Sequence, residues 1–346
     1  MKKAKIGLIG IGWIGSEHGR NILKNSKADL YCIADSNEAG VQAFLKNENH
    51  SCKVYKDYKE LLKSDIDAVV IASPNAMHAK MTIDAAKYNK HVYCEKPMAI
   101  TLKDCKRIRE EVDKAGIKYL IGYHRRLNPL YRYVKNILTE GKLGKPFIVE
   151  SEYNHYVPGN LAIWSWLGKK DIAGSLFHGG SGHNVDLIRD MCGEIKEVSC
   201  FKDIFLPRKE QVETEDTAVA MYRFENGVIG KVQCCVGPIL PFNFGFRLFG
   251  TKGTVQNNKI WYEDIPRFDQ AGHENDYVKL PDSWVPDNVQ GGLSETWKEH
   301  MDHFIDVVTG SVPSMNDVHS AYNTSAAVFA ALKSAETGKV VQVGGL

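Results

Sequence analysis

The chain lacks long apolar runs, an excess of charge of one sign, internal repeats and low-complexity segments. No apolar run approaches the roughly 18 residues that a membrane-spanning helix requires. The formal net charge is only +2 over 346 residues, and the basic residues are dispersed. A nucleic-acid-binding surface needs a clustered basic face, so this composition argues against one. We therefore expect neither a membrane nor a nucleic-acid partner.

Cysteine spacing is equally uninformative about metals and disulfides. None of the eight cysteines forms a C-x-x-C pair or a zinc-like spacing, and several lie inside apolar runs. This pattern is typical of reduced thiols in a cytosolic enzyme, so we expect a cytoplasmic protein. The pair His300-x-x-His303 lies on a predicted amphipathic helix without a complete ligand set. We interpret it as a solvated helix face and expect no metal.

The length predicts about two domains, and the first third of the chain carries an α/β pattern. Residues 4–121 alternate short apolar runs with amphipathic stretches, which is typical of buried parallel strands joined by helices. The pattern predicts a doubly wound parallel sheet, with a Rossmann domain over residues 1–122. The apolar runs are Ile6–Ile9, Leu30–Ala34, Ala68–Ala72, His91–Cys94 and Lys118–Ile121.

After about residue 122 the predicted strands become longer and alternate in polarity, as in an antiparallel sheet. Asn226-Gly227 is a strong hairpin signal between two of them. We predict a C-terminal α+β domain over residues 123–346 with an open, predominantly antiparallel sheet. Its helices are expected at 184–191, 294–309 and 318–337, and 264–292 is expected to be a long loop of the kind that can carry function.

A glycine-rich segment follows the first predicted strand and opens a helix, the context that a dinucleotide site requires. Gly10 allows a tight turn, Gly12 lets the backbone approach a pyrophosphate, and Gly15 permits close helix packing. Asp35 lies 20 residues beyond Gly15, at the end of the second strand. Its carboxylate can accept both ribose hydroxyls and would repel a 2′-phosphate, which favours NAD over NADP.

Two further segments follow predicted parallel strands, where such sheets bind ligands. Ser73-Pro74-Asn75 follows the third apolar run, and Glu95-Lys96-Pro97 follows the fourth. Near a nicotinamide, the Lys96 ammonium could hydrogen-bond a substrate hydroxyl and stabilise developing negative charge. His78 lies one turn into the next helix, where it could reach the same crevice or simply lie on the helix surface.

Five segments along the chain match one family pattern. They are Gly10–Gly15, Ser73-Pro74-Asn75 with His78, Cys94-Glu95-Lys96-Pro97, Gly122-Tyr123-His124-Arg125-Arg126, and Gly174…His183-x-x-Asp186. On these segments the chain resembles the Gfo/Idh/MocA oxidoreductase family. The resemblance implies a Rossmann domain followed by an α/β domain whose open sheet often forms an oligomer interface. It also implies sugars, cyclitols or their derivatives as substrates.

The resemblance assigns roles to single residues. Lys96 takes the catalytic-lysine position, Glu95 the position that helps place the nicotinamide ribose, and His124 a cofactor-side polar position. The family often has an Asp four residues before its catalytic His, but Gly179 stands there in this chain, and His178 lies five residues before His183. His183 is the best general base. Asp186 falls on the same face if the segment is helical, where it could bind substrate hydroxyls or orient His183.

The sequence therefore predicts an NAD-dependent dehydrogenase that oxidises a secondary hydroxyl of a sugar, glycoside or cyclitol. Hydride would pass to the nicotinamide and the proton to His183, assisted by Lys96. Two alternatives remain open: a redox-neutral glycosidase or lyase that acts through a transient keto-sugar, and a non-catalytic NAD-binding sensor. We also expect a homo-oligomer, a dimer or a tetramer.

Predicted site residues fall into two sets beyond the catalytic pair Lys96 and His183. The cofactor-binding set is Gly10, Gly12, Trp13, Ile14, Gly15, Asp35, Ser73, Asn75, His78, Glu95, Lys96 and His124. The substrate-binding set is Lys96, Tyr123, His155, Trp164, His178, His183 and Asp186. Trp166, Lys169 and Lys170 are further candidates for substrate contacts, although tryptophans more often serve only in packing.

Overall fold

A computed structural model describes residues 3–157, 164–205, 212–239, 243–263, 277–286 and 292–345. The chain divides into two compact units. The first consists of Met1–Tyr123, Asp171–Gly174 and Trp297–Ser325, and the second of His124–Lys170, Ser175–Thr296 and Ala326–Leu346. A single break near residue 122 would place residues 297–325 in the second domain, whereas here they belong to the first unit.

The first unit is built on a six-stranded sheet in the order β3-β2-β1-β4-β5-β6, with parallel neighbours throughout. This confirms the predicted Rossmann sheet. The order reverses between β1 and β4, which pair directly (Ile9 opposite Ile71), so the segments that follow these two strands meet at the ligand-binding edge. The strands are β1 (Ala4–Ile9), β2 (Ala28–Ala34), β3 (Lys53–Tyr55), β4 (Ala68–Ile71), β5 (His91–Cys94) and β6 (Tyr119–Ile121).

Helices connect these strands, and their ends follow local capping chemistry. The helix that follows Thr101 shows this: the Thr101 hydroxyl accepts the Asp104 backbone N–H, and Gly116 ends the helix in a left-handed conformation with φ of 62°. The helices of this part of the chain are α1 (Trp13–Lys24), α2 (Glu38–Asn47), α3 (Tyr58–Leu62), α4 (Asn75–Lys87) and α5 (Leu102–Ala115).

Residues 297–325 contribute most of α9 (Gly292–Val308) and the first part of α10 (Val318–Thr337) to the first unit. Met301, Phe304 and Ile305 are fully buried in the core cluster that contains Ile6 and Leu8 of β1. His300 is also fully buried, and its Nδ1 lies 3.1 Å from the Tyr93 hydroxyl. The interpretation of His300 as part of a solvated face is therefore wrong, because this face of α9 packs into the core.

The second unit contains a sheet of nine strands in the described part of the chain, in the order β14-β13-β12-β11-β7-β10-β9-β8-β15. Among these strands only β7 and β10 pair in parallel, which confirms the predominantly antiparallel prediction. The strands are β7 (Pro146–Asn154), β8 (Ile195–Asp203), β9 (Thr217–Phe224), β10 (Ile229–Cys235), β11 (Phe246–Gly250), β12 (Gly253–Gln256), β13 (Lys259–Tyr262), β14 (Val278–Lys279) and β15 (Val341–Gln342).

The remaining helices of the second unit include α6 (Pro129–Thr139), α7 (Trp164–Leu167) and α8 (Leu176–Cys192). Helix α8 packs on one face of the sheet, where Ile188 lies close to Gly230 of β10. The opposite face carries exposed apolar side chains: Phe201, Met221 and Ile229. Of the predicted loop 264–292, residues 264–276 and 287–291 lie outside the described residues, and between them lie β14 and a 3₁₀ turn, Asp282–Trp284.

Helix α8 begins eight residues before the predicted start at Asn184. Ser175 caps it by accepting the His178 backbone N–H at 3.1 Å. The Glu215 carboxylate accepts the Phe177 backbone N–H at 2.9 Å and the Ser175 hydroxyl, so a negative charge lies at the positive end of the helix. The segment from His178 to His183 is therefore helical.

No helix in the described residues is both long enough and apolar enough to cross a membrane.

Candidate functional site

The glycine-rich segment has the shape of a cradle for a dinucleotide pyrophosphate. Gly10 has φ of 92°, and a Cβ there would overlap the Ala72 carbonyl; a Cβ at Gly15 would overlap the Gly10 carbonyl. At Gly12, by contrast, a Cβ would meet no atom within 4 Å. Helix α1 begins at Trp13 without a side-chain cap, so its positive end is available to an anion. These residues fit a dinucleotide.

Two polar side chains lie at the same edge of the sheet. The Asp35 carboxylate accepts the backbone N–H groups of Ile11 and Asn37, each at 2.7 Å, which ties the end of β2 to the glycine-rich segment. Ser73 follows β4, and its buried hydroxyl has no hydrogen-bond partner among the described residues. An unsatisfied buried hydroxyl beside the cradle is what a bound polar ligand would satisfy.

Other predicted cofactor contacts are engaged within the first unit. The Asn75 side-chain amide donates to the Ala173 carbonyl at 2.8 Å. Trp13 is exposed and packs edge-to-face against Trp297 with ring centroids 5.2 Å apart. His78 is fully buried, and both of its ring nitrogens contact backbone carbonyls. The geometry of His78 favours a role in holding backbone over the predicted direct cofactor contact.

Glu95 and Lys96 follow β5 in a polar, largely buried setting. The Glu95 carboxylate lies 2.8 Å from His18 Nε2 and accepts the Lys96 backbone N–H at 3.1 Å. Burial alone would raise the pKa of Glu95, but the hydrogen bond from His18, the charges of His18 and Lys96, and the Lys96 N–H lower it below its ordinary value. Glu95 is thus held as a carboxylate beside a half-buried lysine.

His18 was missed at the level of sequence. It lies three residues after Gly15, on the buried side of α1, and contacts a residue 77 positions away. The sequence shows only that a histidine follows the glycine-rich segment. It does not show that this histidine contacts Glu95.

In the second unit, His183 lies on α8 beside His124. Both imidazoles are buried, with ring centroids 4.9 Å apart at an interplanar angle of 73°. His124 Nδ1 lies 2.8 Å from the Thr296 hydroxyl. The predicted general base and the predicted cofactor-side histidine therefore form one cluster.

The two arginines that follow His124 bind side chains of α8. Arg126 donates to both carboxylate oxygens of Asp186, at 2.8 and 2.6 Å, and lies 3.4 Å from Asp190. Arg125 donates to the Asn184 side-chain oxygen at 3.3 Å. Both carboxylate oxygens of the buried Asp186 accept hydrogen bonds from Arg126, so Asp186 is held in an ion pair.

Sequence reasoning missed Asn184 and the partners of Arg125. The Asn184 amide also donates to the Ser151 hydroxyl at 2.6 Å and to the Glu152 carbonyl at 3.0 Å, joining α8 to β7. Burial lowers the pKa of Arg125 to about 10, and its guanidinium lies 3.1 Å from the centroid of the Phe244 ring. The paired arginines after Gly122 were visible in the sequence, but their partners were not.

The other predicted substrate residues are mostly buried in packing positions. Tyr123 is fully buried, and its carbonyl accepts the Asn316 amide at 3.0 Å. His178 packs edge-to-face against Phe329 at 4.9 Å, and Trp164 is buried. His155 is half-buried, and burial lowers its pKa below the ordinary value.

The remaining candidates lie nearer the surface. Trp166 is exposed, the Lys169 ammonium pairs with Glu213 at 2.8 Å, and the Lys170 backbone N–H donates to the same carboxylate at 3.1 Å. No group of three or more metal-ligating side chains converges within the described ranges.

Comparison with known proteins gives matches over both units. Residues 4–123 match the model of the oxidoreductase family with an NAD-binding Rossmann fold, and residues 131–256 match the GFO/IDH/MocA C-terminal domain. Among curated relatives, myo-inositol 2-dehydrogenase of Thermotoga maritima is 28% identical over 78% of this chain and 79% of its own length. The uncharacterized oxidoreductase YrbE of Bacillus subtilis is 30% identical over 73% of each chain.

A solved structure is similar over nearly the full length of the chain. The WlbA dehydrogenase of Bordetella pertussis, crystallised with NADH and UDP-GlcNAcA, superposes with a TM-score of 0.83 at 25% identity. The match covers 99% of this chain and 98% of that one.

The glycine-rich segment allows a test that separates packing from ligand binding. Gly15→Ala is expected to lower the midpoint of thermal unfolding, because overpacking against the Gly10 carbonyl costs about 1–3 kcal/mol. Gly12→Ala is expected to keep the wild-type midpoint and to weaken NADH binding about tenfold or more, since its methyl group enters only the cradle. Differential scanning fluorimetry and NADH fluorescence titration report the two effects. Wild-type affinity in Gly12→Ala would contradict the assigned cradle.

The pair of Arg126 and Asp186 predicts a large stability effect. Arg126→Ala leaves a buried carboxylate without its bidentate partner and is expected to lower the free energy of unfolding by about 3–5 kcal/mol. Arg132→Ala removes an exposed arginine of α6 and serves as the matched control, with an expected change within about 0.5 kcal/mol. Urea unfolding measures both. Adding Asp186→Asn to Arg126→Ala should restore part of the loss; purely additive effects would rule out the pair as the cause.

Proposed function

Because the chain belongs to the Gfo/Idh/MocA oxidoreductase family, we propose that it oxidises a secondary hydroxyl of a sugar, glycoside or cyclitol in an NAD-dependent reaction. The observation that carries this proposal is the arrangement at the carboxyl end of β5. There a buried carboxylate, Glu95, is held ionised next to the half-buried Lys96. The same sheet edge carries the glycine cradle and Asp35.

The cofactor is NAD, which supplies the hydride acceptor when bound. Gly10–Gly15 and the α1 N-terminus would hold its pyrophosphate, and Asp35 would accept the ribose hydroxyls of the adenosine half. Glu95, as a carboxylate, would accept hydroxyl hydrogen bonds from the ribose on the nicotinamide side. His18 keeps that carboxylate oriented.

Protein side chains would handle the proton of the substrate hydroxyl. The Lys96 ammonium would donate to the hydroxyl oxygen and stabilise negative charge that develops there. His183 would accept the hydroxyl proton, because a neutral imidazole is a competent base near neutral pH. The contacts of Arg125 and Arg126 with α8 support this role by fixing the helix on which His183 lies.

The substrate class rests on two kinds of support. A relative that aligns over most of both chains is named for the oxidation of myo-inositol, and a matching structure contains a nucleotide sugar. Both small molecules, myo-inositol and the nucleotide sugar, carry rings with several hydroxyl groups. Discrimination among such ligands depends on matched hydrogen bonds, which favours polar groups such as those of Lys96 and His183 over a purely apolar pocket.

Assembly and compartment are also part of the proposal. The exposed apolar side chains Phe201, Met221 and Ile229 on the open sheet face support association of copies through that face. All eight cysteines lie within the described residues and are free, which suits a reducing compartment such as the cytoplasm.

One experiment separates the proposed reaction from its alternatives. Purified protein is incubated with NAD and a panel of sugars, inositols and glycosides, while NADH absorbance and released aglycone are followed together. We expect NADH to form with at least one compound. Lys96→Ala should then lower kcat by about 100-fold or more, whereas Lys106→Ala, an exposed lysine on α5, should not change it.

The other outcomes each overturn the dehydrogenase proposal. Aglycone release without NADH would support redox-neutral cleavage. That alternative draws on Gly179, which stands where the family often has an Asp. NADH binding with no turnover across the panel, and no effect of Lys96→Ala on any measured property, would instead support a non-catalytic sensor.

Asp35 predicts the cofactor preference. Asp35→Ser removes the charge that repels a 2′-phosphate, so the ratio of kcat/KM for NAD to that for NADP should fall by about tenfold or more. Asp29→Asn removes a carboxylate elsewhere on β2 and should leave the ratio unchanged. Equal ratios in Asp35→Ser and the wild type would contradict the assignment of Asp35 to the ribose.

A further inference from the structure

His78 is a fully buried histidine with an unusual pair of partners. Its Nδ1 lies 2.7 Å from the Pro97 carbonyl oxygen, and its Nε2 lies 2.9 Å from the Ser73 carbonyl oxygen. A carbonyl oxygen only accepts hydrogen bonds, and a neutral imidazole carries a single N–H. A neutral ring would therefore point a lone pair at one of the two carbonyls. Both contacts are satisfied together only by the imidazolium form.

The two carbonyls belong to the segments that follow neighbouring strands. Ser73 follows β4, and Pro97 follows Lys96 at the end of β5; the strands themselves pair with Ile71 opposite Cys94. The ring thus bridges the segment beside the glycine cradle and the segment that carries Lys96. Besides this bridge, the backbone of the second segment is held by the hydrogen bond from the Lys96 N–H to Glu95.

We propose that His78 is a positioning residue whose buried imidazolium holds the Lys96-Pro97 backbone against Ser73, so that loss of its proton releases the segment and lowers the reaction rate. This rests on the proposed function only in giving Lys96 a part in the oxidation. The bridge itself rests on the two contacts.

The groups around the ring are compatible with a retained proton. The titratable side chain that acts on it is Cys94 of β5, through an electrostatic interaction and a hydrogen bond, and Cys94 Sγ also lies 3.3 Å from the Glu95 carbonyl oxygen. The contacts from the segments after β4 and β5 are the uncharged carbonyls of Ser73 and Pro97.

The direction of the pH dependence follows from these contacts. Burial alone would lower the pKa of His78, but Cys94 and the two carbonyls raise it from 6.5 to about 9. A pKa raised on folding gives stabilisation that is complete below pH 6.5 and is lost as the pH rises through about 9. The bridge is therefore expected to hold at neutral pH and to fail on the alkaline side.

NMR of the wild-type protein labelled at the histidine rings tests the imidazolium directly. The spectrum of His78→Gln assigns the His78 signal by its absence; if that variant does not fold, His78→Asn or selective assignment through the sequential backbone serves instead. We expect both ring nitrogens to be protonated at pH 7.5 and to titrate near pH 9. A neutral tautomer at pH 7.5 would overturn the proposal.

Hydrogen exchange at pH 7 tests whether the ring holds the segment. Amides of the peptide that contains residues 96–99 should exchange at least several-fold faster in His78→Gln than in the wild type. His50→Gln is the matched control, because His50 is half-buried and its Nε2 lies 3.0 Å from one carbonyl, that of Leu30. Equal exchange in His78→Gln and the wild type would overturn the bridge. Neither this readout nor the NMR titration requires turnover, so both decide the proposal even if no sugar is oxidised.

Kinetics then connect the bridge with the reaction. In His78→Gln, kcat should fall about tenfold or more while the Kd for NADH changes less than about threefold, and His50→Gln should keep both values. The wild-type kcat should decline above about pH 9, and His78→Gln should lose that dependence. An unchanged kcat and pH profile in a folded His78→Gln would overturn the positioning role.

Discussion

The close approach of three backbone segments at one edge of the parallel sheet is the constraint on which the candidate site depends. The Gly10 turn passes against the Ala72 carbonyl, and the start of α1 passes against Gly10 at Gly15. No side chain fits between these segments, so glycine is required at both contacts. This closeness puts the ends of β1 and β4 within reach of one extended ligand, and it brings Asp35 onto the Ile11 N–H.

Each unit contains a buried carboxylate whose two oxygens are both hydrogen-bonded. Glu95 is held by His18 and by a backbone N–H, and Asp186 is held by both arms of a guanidinium. Burial of such groups costs solvation that a well-packed apolar pair would not cost. What it gives is direction, because a hydrogen-bonded carboxylate has a fixed orientation. We infer that the chain gives up some folding stability to hold carboxylates in fixed orientations near Lys96 and near His183.

Much of the fold was predictable because its signals are local. His91–Cys94 is a strand with the predicted bounds, and the predicted run Ile6–Ile9 lies within β1, since apolar runs are properties of neighbouring residues. The start of α8 was missed because Gly179, Gly180 and Gly182 weaken the helical pattern, and its cap depends on Glu215, far along the chain.

The candidate site also contains residues that local motifs predict and contacts that they do not. The glycine cradle, Asp35 and Lys96 were found from motifs, whereas the partners of Asp186 and Glu95 lie 60 and 77 residues away. Sequence pattern shows that a side chain is polar or apolar, but it does not show what lies opposite. The same limit explains why the apolar face of α9 was recognised while the buried state of His300 was not.

The return of residues 297–325 to the first unit has a consequence for synthesis. The ribosome delivers the six parallel strands long before it delivers Met301, Phe304 and Ile305, which complete the core around β1. Until then, the apolar surface that they cover is open to water and to other chains. The nascent Rossmann domain is therefore unfinished until α9 has been translated, and any truncation before α9 would leave it with an exposed apolar flank.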